Sequence, residues 1–426
     1  MNKNQFFSRL SLYQKKGVTS GITLLCVGIS GHAQGYIGLD PAYTGTEYGD
    51  VVSAPLDVDE EGGLLWYPSV GISATYDDNI YRTEINTDDA MIYRLHGVLE
   101  ARNVRGKTTY NAGYRGSVGR YSGGPNDDLD DYEDHNLFAG IYHTGSKTSS
   151  SVYADYQRGY TPRGEDNFEE KDTWDQYTVL GRFDLGRSDA RFRLRLSGVL
   201  RNRLYDINSA NDLNNAGFGA VLGMKVSSKT RLVLEGGRMD YNYDNSNKDG
   251  HRIYLRGGAS WKATGKTTGT FTYGQEKYTP ENAGQPVESD EPGLSQGVLV
   301  ESDDTTWKGE ILWLPTREDS VSLNTSKSTT ESFGIGTNKI ATRTTANWGH
   351  SWSNTVSSAV SYIFGNYDYI GDPRNDDIEA VNIGLNYRFR HNQIVRGDWQ
   401  YEKRDSNVPL ESYDQNRYSL VYGYDF

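Results

Sequence analysis

The sequence has 426 residues, with 44 Lys and Arg against 57 Asp and Glu, which gives a formal net charge of −13. Aromatic residues make up 12% of the chain, which argues against disorder because disordered chains are poor in them. The single cysteine excludes a disulfide scaffold. A bundle of transmembrane helices is also excluded, because no apolar run approaches about 20 residues. With 48 glycines and 32 tyrosines, the composition favours β structure with many turns.

The chain begins with a segment that has the layout of a secretory signal peptide. A basic start without acidic residues, over residues 1–17, precedes a short apolar run over residues 18–29. Gly31 and Ala33 then place small residues at −3 and −1 of a cleavage site. We therefore predict that residues 1–33 are a signal peptide, and that the mature chain, which lacks cysteine, crosses an oxidising periplasm.

The next segment, residues 34–64, has no alternation of apolar and polar residues and carries an acidic run over residues 57–61. We predict a periplasmic N-terminal extension that is flexible, docks as a plug or contacts a partner. The rest of the chain, residues 65–426, is predicted to form one outer-membrane β-barrel.

From Trp66 onward, the chain is a series of segments in which apolar and polar residues alternate. The clearest of them covers residues 190–203. Its polar positions carry a ladder of arginines: Arg191, Arg193, Arg195, Arg201 and Arg203. A helix would scatter these arginines around its circumference, whereas a strand puts them on one face and the intervening apolar residues on the other.

About eighteen such segments can be counted, with sixteen as the alternative. They are centred near residues 71, 97, 114, 140, 154, 180, 197, 221, 235, 257, 272, 310, 325, 345, 361, 385, 399 and 420. Short polar turns and longer acidic loops alternate between them, as in outer-membrane barrels with short periplasmic turns and long extracellular loops. An even strand number places both chain ends in the periplasm. The predicted fold is an all-β, transmembrane, antiparallel up-and-down barrel.

Three features favour a membrane barrel over a soluble β-sandwich, which also alternates. The segments run to roughly 11–15 residues, which exceeds the usual strands of soluble sheets and suffices for a tilted bilayer crossing. Their polar face is dense in arginine, which is hard to bury in a dry core. Aromatic residues collect near the segment ends, as in the girdles at membrane interfaces. Examples are Trp66, Trp261, Trp313, Trp348 and Trp352. The expected location is the outer membrane of a Gram-negative bacterium.

Both ends of the predicted barrel carry a resemblance to known proteins. The last segment finishes with Tyr422, Tyr424 and Phe426, and such a terminal strand resembles the signal read by the barrel assembly machinery. The first segment, Pro68–Arg82, resembles the opening of a family of porin-like outer-membrane β-barrels associated with exopolysaccharide or capsule biosynthesis and export. This resemblance implies a role in polysaccharide secretion. It also implies a separate periplasmic polysaccharide export protein as a partner, because the chain has no tetratricopeptide repeats.

If the apolar residues face lipid, the alternate residues face the barrel interior, or lumen. The candidate lumen-lining residues are Arg94, Arg115, Arg191, Arg193, Arg195, Arg201, Arg203, Arg252, Arg256, Arg343, Arg388, Arg390 and Arg396. A basic channel of low dielectric concentrates anions, and arginine binds carboxylates in bidentate fashion. Tyr142, Tyr153 and Tyr254 are expected to stack on sugar rings. We therefore expect a conduit for secretion of an anionic exopolysaccharide, unless the arginines only pair with inward acids and hold the wall.

A general or substrate-specific diffusion porin for anionic solutes or oligosaccharides is the alternative function. A loop folded into the lumen would favour the porin, and residues 279–304 are the candidate for such a constriction. An enzyme is not expected. Ser353 and His350 form the one Ser–His pair worth considering, but no third group that would orient the pair can be identified from the sequence.

No cofactor, metal site or nucleic-acid partner is expected. The acidic cluster over residues 127–134 lacks the ligand spacing of an EF-hand. We expect this loop to be solvated and bridged to lipopolysaccharide by divalent cations. Outer-membrane lipid is the remaining expected partner.

Overall fold

Eighteen antiparallel strands make up most of the described structure. The computed structural model describes residues 63–162, 171–187, 189–287, 297–331 and 338–426. The strands are β1 (Leu64–Asp77), β2 (Ala90–Arg105), β3 (Thr108–Ser122), β4 (Tyr132–Thr144), β5 (Thr148–Thr161), β6 (Asp172–Leu185), β7 (Phe192–Tyr205), β8 (Leu213–Lys225), β9 (Thr230–Tyr243), β10 (Gly250–Lys262), β11 (Thr267–Pro280), β12 (Ser302–Trp313), β13 (Asp319–Glu331), β14 (Asn338–Ser351), β15 (Val356–Tyr369), β16 (Asn375–Arg390), β17 (Gln393–Ser406) and β18 (Tyr413–Asp425). A short helix, α1 (Asp127–Asp130), and a 3₁₀ turn, Ser209–Asn211, lie in two of the loops.

The strands close into a barrel. Each strand pairs with its neighbours in sequence, and β1 pairs with β18 to complete the circle. The closing register runs from Ser69 opposite Asp425 to Asp77 opposite Arg417. Closure leaves no edge strand, so every strand finds backbone partners on both sides, as a membrane crossing requires.

The predicted up-and-down barrel is confirmed, because each predicted segment centre falls inside a strand. The strands are 12 to 16 residues long, which exceeds the roughly 9–11 residues of a tilted crossing. The predicted signal peptide and almost all of the predicted extension fall on residues 1–62, outside the described residues.

The two rims of the barrel differ in their connections. One rim carries short turns, such as the two residues between β2 and β3, where Gly106 adopts a φ of +60° that glycine tolerates. The opposite rim carries the longer loops, including the one that holds α1. We call them the short-turn rim and the long-loop rim. Strand β1 begins and β18 ends at the short-turn rim. Among the described residues, no helix is long and apolar enough to cross a membrane.

The strand register sorts the side chains into two faces. Ile72 lies opposite Leu95, and Leu95 opposite Val118, so these three residues form one row across β1, β2 and β3. Ile72 and Leu95 are 55% and 53% exposed, as expected for a lipid-facing row. The intervening residues, such as Arg94 on β2, point to the other face, because successive side chains on a strand alternate. The registers of the other strand pairs extend this assignment around the barrel, and they define which side chains of every strand face inward.

Candidate functional site

On most strands the inward side chains change from exposed to buried along the barrel axis. On β10, Lys262 near the short-turn rim is exposed, whereas Arg256 and Arg252, nearer the long-loop rim, are 4% and 0% exposed. On β16, Arg390 is exposed and Asp376, at the other end of the strand, is buried. We call the inward residues towards the short-turn rim the open half of the interior, and those towards the long-loop rim the packed half.

An apolar cluster of inward residues crosses the interior obliquely. Its members are Phe138, Tyr142, Tyr153, Leu180, Val199, Leu213, Met239, Tyr241, Tyr243 and Tyr278. It starts near the short-turn end of β4 and reaches the long-loop end of β11. On β4 to β6, buried inward residues therefore lie closer to the short-turn rim than on the other strands of the cluster. Tyr142, Tyr153 and Tyr254, which were expected to stack on sugar rings, are all buried. Tyr153 packs beside Phe138, with ring centroids 6.3 Å apart, and burial of such rings stabilises the wall.

Buried charges in the packed half are matched across strands. Arg256 on β10 donates through Nε to Glu235 Oε1 on β9 at 2.7 Å, and its Nη1 lies 3.1 Å from Thr306 Oγ1 on β12. Its guanidinium also sits 4.5 Å from the ring centroid of Tyr254. These contacts satisfy a charged group that would be costly to bury alone.

A second buried group lies where β16 begins. Arg374 donates to both carboxylate oxygens of Asp376 at 2.8 to 3.0 Å, and the two side chains are 1% and 0% exposed. Glu411 lies 3.2 Å from Arg374, and the Tyr369 hydroxyl donates to Asp376 at 3.2 Å. Burial alone would lower the pKa of Arg374, but the hydrogen bonds to Asp376 raise it above its ordinary value.

The seam between β1 and β18 is closed by polar contacts as well. Gln415 Nε2 donates to both oxygens of Asp77 at 2.8 and 2.9 Å, and Arg417 Nε lies 3.0 Å from the same carboxylate. On the neighbouring β17, Glu402 accepts a hydrogen bond of 2.6 Å from the Tyr413 hydroxyl. The long-loop end of the seam therefore belongs to the packed half.

The β11–β12 loop is tied to other loops of the long-loop rim. Its two described parts, residues 281–287 and 297–301, bond to each other, for example through Gly284 N to Leu299 O at 2.7 Å. Leu299 is 0% exposed. Val298 N donates to Gly371 O, in the β15–β16 loop, at 3.3 Å. We call this loop-to-loop contact the clasp. It joins two loops that are separated in the barrel by strands β13 and β14. Val298 lies in the segment that was predicted as a constriction.

The clasp depends on a glycine. Gly371 has a φ of +82°, and a Cβ built on it would lie 2.0 Å from Val298 O. No other residue type fits so close to a backbone oxygen, so the sequence permits the contact through this glycine.

The open half contains arginines that are only partly buried. Asp184 is shared by Arg182, at 2.6 Å, and Arg195, at 2.9 Å, so one carboxylate serves two guanidinium groups. Arg193, on the same strand as Arg195, forms no ion pair within the described part of the chain. Cations therefore outnumber carboxylates along this part of the wall.

The predicted arginines are distributed over the full height of the barrel. Inward positions of the open half hold Arg193, Arg195, Arg388, Arg390 and Arg396. Positions near the middle of a strand hold Arg115 and Arg343. Positions towards the long-loop rim hold Arg94, Arg201, Arg203, Arg252 and Arg256.

Arg191, which was predicted as a member of the arginine ladder, lies outside strand β7. It precedes β7 at the short-turn rim, with its guanidinium 5.7 Å from the ring centroid of the outward-facing Phe192. The remaining ladder is also divided: Arg195 meets Asp184, whereas Arg201 is 5% exposed. The arginines of β7 therefore lie in two different environments.

Five inward acids were not identified from the sequence, three of them because the acidic loops were predicted to extend too far. The missed residues are Asp77, Asp134, Asp172, Glu276 and Asp376. Asp134, Asp172 and Asp376 fall within segments assigned to loops, yet β4, β6 and β16 already include them. Alternation that continues into these segments is the signal that could have identified them as strand.

The other singled-out residues have structural contacts. Ser353 Oγ accepts a hydrogen bond from Val356 N at 3.0 Å, and His350 Nδ1 lies 2.7 Å from Asp319 Oδ1. Tyr424 and Phe426 pack edge to face, with ring centroids 4.7 Å apart. No group of three metal-ligating side chains was found among the described residues.

A closed 18-stranded barrel with an apolar outer face and a charged interior defines a channel protein of the Gram-negative outer membrane. Residues 59–422 match the family described as "Putative beta-barrel porin 2". The chain belongs to this family.

Three solved outer-membrane proteins are similar to this chain at low sequence identity. OccK1 (OpdK) of Pseudomonas aeruginosa is 13% identical, with 85% of this chain and 100% of that chain covered and a TM-score of 0.45. A BenF-like porin from Pseudomonas fluorescens Pf-5 is 10% identical, with 85% and 99% covered and a TM-score of 0.48. A bacterial polysaccharide outer membrane secretin is 10% identical, with 84% and 98% covered and a TM-score of 0.37. Likeness at this level says nothing about what passes through the barrel. No curated protein matches the chain.

Proposed function

We propose that the protein is a diffusion channel for small anionic solutes. The observation that carries this proposal is the excess of inward cations in the open half, where Arg182 and Arg195 share the carboxylate of Asp184. An uncompensated basic wall in a low-dielectric channel attracts anions and repels cations. Guanidinium groups also pair with carboxylates in two-point geometry, so organic acids are the expected solutes.

Secretion of a polysaccharide is less well supported than diffusion. A polymer chain needs an open path over the full height of the barrel. The packed half contains Arg252, Tyr278 and Leu299 at 0–1% exposure, and the clasp joins two loops above them. Family membership supports a porin and gives no support to exopolysaccharide export.

We further propose that the short-turn rim faces the periplasm and the long-loop rim faces the cell exterior. Short periplasmic turns and long external loops are the usual arrangement of outer-membrane barrels. Both ends of the barrel chain would then lie in the periplasm. A solute entering from outside would meet the packed half first and the exposed arginines second.

Planar lipid bilayers test the proposed function directly. With purified protein and a potassium chloride gradient, we expect discrete channels whose reversal potential reports anion selectivity. Dicarboxylates added on one side should reduce the chloride current. Cation selectivity, or no conductance from a correctly folded barrel, would contradict the proposal.

A deletion strain separates uptake from export. We expect slower uptake of small organic anions and an unchanged amount of surface polysaccharide. Loss of surface polysaccharide with unchanged uptake would instead establish the secretion conduit.

A further inference from the structure

The outward face of the barrel is apolar over only part of its height. On β16, the outward residues from Phe389 to Val381 are apolar or aromatic, whereas Glu379 and Asp377, towards the long-loop rim, are charged. Near the short-turn rim, aromatic residues dominate the outward face: Trp66, Trp313, Trp348, Phe389 and Tyr424. The extra strand length beyond a bilayer crossing therefore lies at the long-loop end.

Outward cations recur around the barrel at this end. They are Arg120, Arg158, Arg238, Lys277 and Lys403, which we call the charged belt. Each side chain is 40–51% exposed, and each lies 2.5 to 3.4 Å from a carboxylate. The carboxylates fix the positions of the cations without covering them.

The group around Arg158 is the most complete. Its two terminal nitrogens lie 3.2 Å from Asp175 and 3.2 Å from Asp206. The hydroxyl of Tyr156 donates to Asp175 at 2.6 Å, and the ring of Tyr156 lies 5.1 Å from that of Tyr177. Two outward rings therefore stand on the bilayer side of a guanidinium with two carboxylates.

Arg120 repeats the arrangement two strands away. It lies 3.4 Å from Asp131 and 3.4 Å from Glu133. On the bilayer side, Tyr114 and His135 stack with ring centroids 6.1 Å apart. Arg158 lies opposite His135, which lies opposite Gly116, so the two groups are about 10 Å apart across the strands and about 13 Å apart along them.

We propose that the charged belt binds the phosphate groups of lipopolysaccharide, and that the acyl chains lie against the aromatic pairs below it. Arginine pairs with phosphate in bidentate geometry, and tyrosine rings favour the boundary between acyl chains and head groups. The inference rests on the proposed orientation, in which the long-loop rim lies in the outer leaflet.

Divalent cations are expected to take part in this binding. One guanidinium against two carboxylates leaves the Arg158 and Arg120 groups net negative, which disfavours a bare phosphate. Mg²⁺ and Ca²⁺ accept both carboxylate and phosphate oxygens as ligands, so a bound cation joins the lipid to Asp175 or Glu133. A lipid with several phosphates is favoured over a phospholipid with one, because it can engage both groups at once.

A lipid titration tests the proposal. The folded barrel in detergent is titrated with rough lipopolysaccharide in the presence of Mg²⁺, and bound lipid is counted by native mass spectrometry. The double variant Arg120→Gln/Arg158→Gln is expected to weaken binding about tenfold, and chelation of Mg²⁺ should weaken wild-type binding too. The charge-conserving pair Arg120→Lys/Arg158→Lys should retain most of the affinity.

A matched control exists at the other rim. Arg187 lies 3.2 Å from Asp189, and the pair is about two-thirds exposed, so Arg187→Gln removes a similar ion pair and should leave lipid binding unchanged. Wild-type affinity in the double variant would overturn the proposal, as would equal binding and equal loss with phosphatidylglycerol. The β-sheet circular dichroism of the same samples verifies folding. Lipid binding is read without ion flow, so its failure is distinct from failure of the proposed channel.

Discussion

The open and packed halves of the interior are built from the same alternating strands, yet they hold charge in opposite ways. In the packed half, Arg374 and Asp376 are 1% and 0% exposed and bind each other. In the open half, Arg390 is exposed to water and Arg193 forms no ion pair within the described part of the chain. Alternation decides which way a side chain points, and height on the strand decides whether its charge must be paired.

This difference separates stability from selectivity. A buried ion pair whose partner is removed leaves an uncompensated charge, which is strongly destabilising. A water-exposed guanidinium contributes little to stability but sets the potential of the channel. Matched substitutions in the two halves should therefore give opposite results.

The largest effect is expected in the packed half. Asp376→Ala removes the carboxylate that meets Arg374 and lies 3.9 Å from Arg404. We expect the free energy of unfolding, measured in urea with the barrel in lipid vesicles, to fall by about 3–5 kcal/mol.

The control for this substitution lies in the open half. Asp398 lies 2.6 Å from Arg396, but its side chain is 20% exposed. Asp398→Ala should lower the free energy of unfolding by less than Asp376→Ala does, because Arg396 keeps 12% of its side chain exposed and solvent screens part of the remaining charge. Equal losses for Asp376→Ala and Asp398→Ala would show that the two halves do not differ.

A substitution in the clasp is expected to have an effect of intermediate size. Gly371→Ala places a Cβ against Val298 O and strains a left-handed backbone by about 1–2 kcal/mol. We expect the loop contact to break and the single-channel conductance to rise, since the β11–β12 loop would no longer be held to the β15–β16 loop.

Gly284 provides the matched control for the clasp. It has a φ of +85°, close to that of Gly371, but a Cβ built there meets nothing within 4 Å. Gly284→Ala therefore carries the backbone strain without the collision and should leave the conductance unchanged. An increase in both variants would assign the effect to strain in the loop.

The sequence was sufficient to predict the barrel and its strand positions. Apolar residues recur at every second position because one face meets lipid, so residues such as Leu194 and Leu196 mark a strand without any knowledge of its neighbours. Strand ends were harder to place. Asp376 continues the alternation of β16, but its acidic surroundings resembled a loop.

The division of the interior could not be predicted from a single sequence. Arg256 is buried because Glu235 and Thr306, far apart in the chain, lie at its height on neighbouring strands. Their approach depends on the register between β9 and β12, which alternation within one strand does not determine. Arg193 has the same local pattern and a different environment.

The smallest change in stability, and the sharpest test of selectivity, is expected for Arg193→Gln. Loss of a partly buried inward cation that forms no ion pair within the described residues should change the free energy of unfolding by no more than about 0.5 kcal/mol. The reversal potential in a salt gradient should shift towards zero, because the open half loses positive charge that Asp184 does not neutralise. Arg105→Gln is the control, since Arg105 faces outward at the short-turn rim. A shift of equal size in the control would place the selectivity at the rim, whereas a shift confined to Arg193→Gln assigns it to the lumen wall.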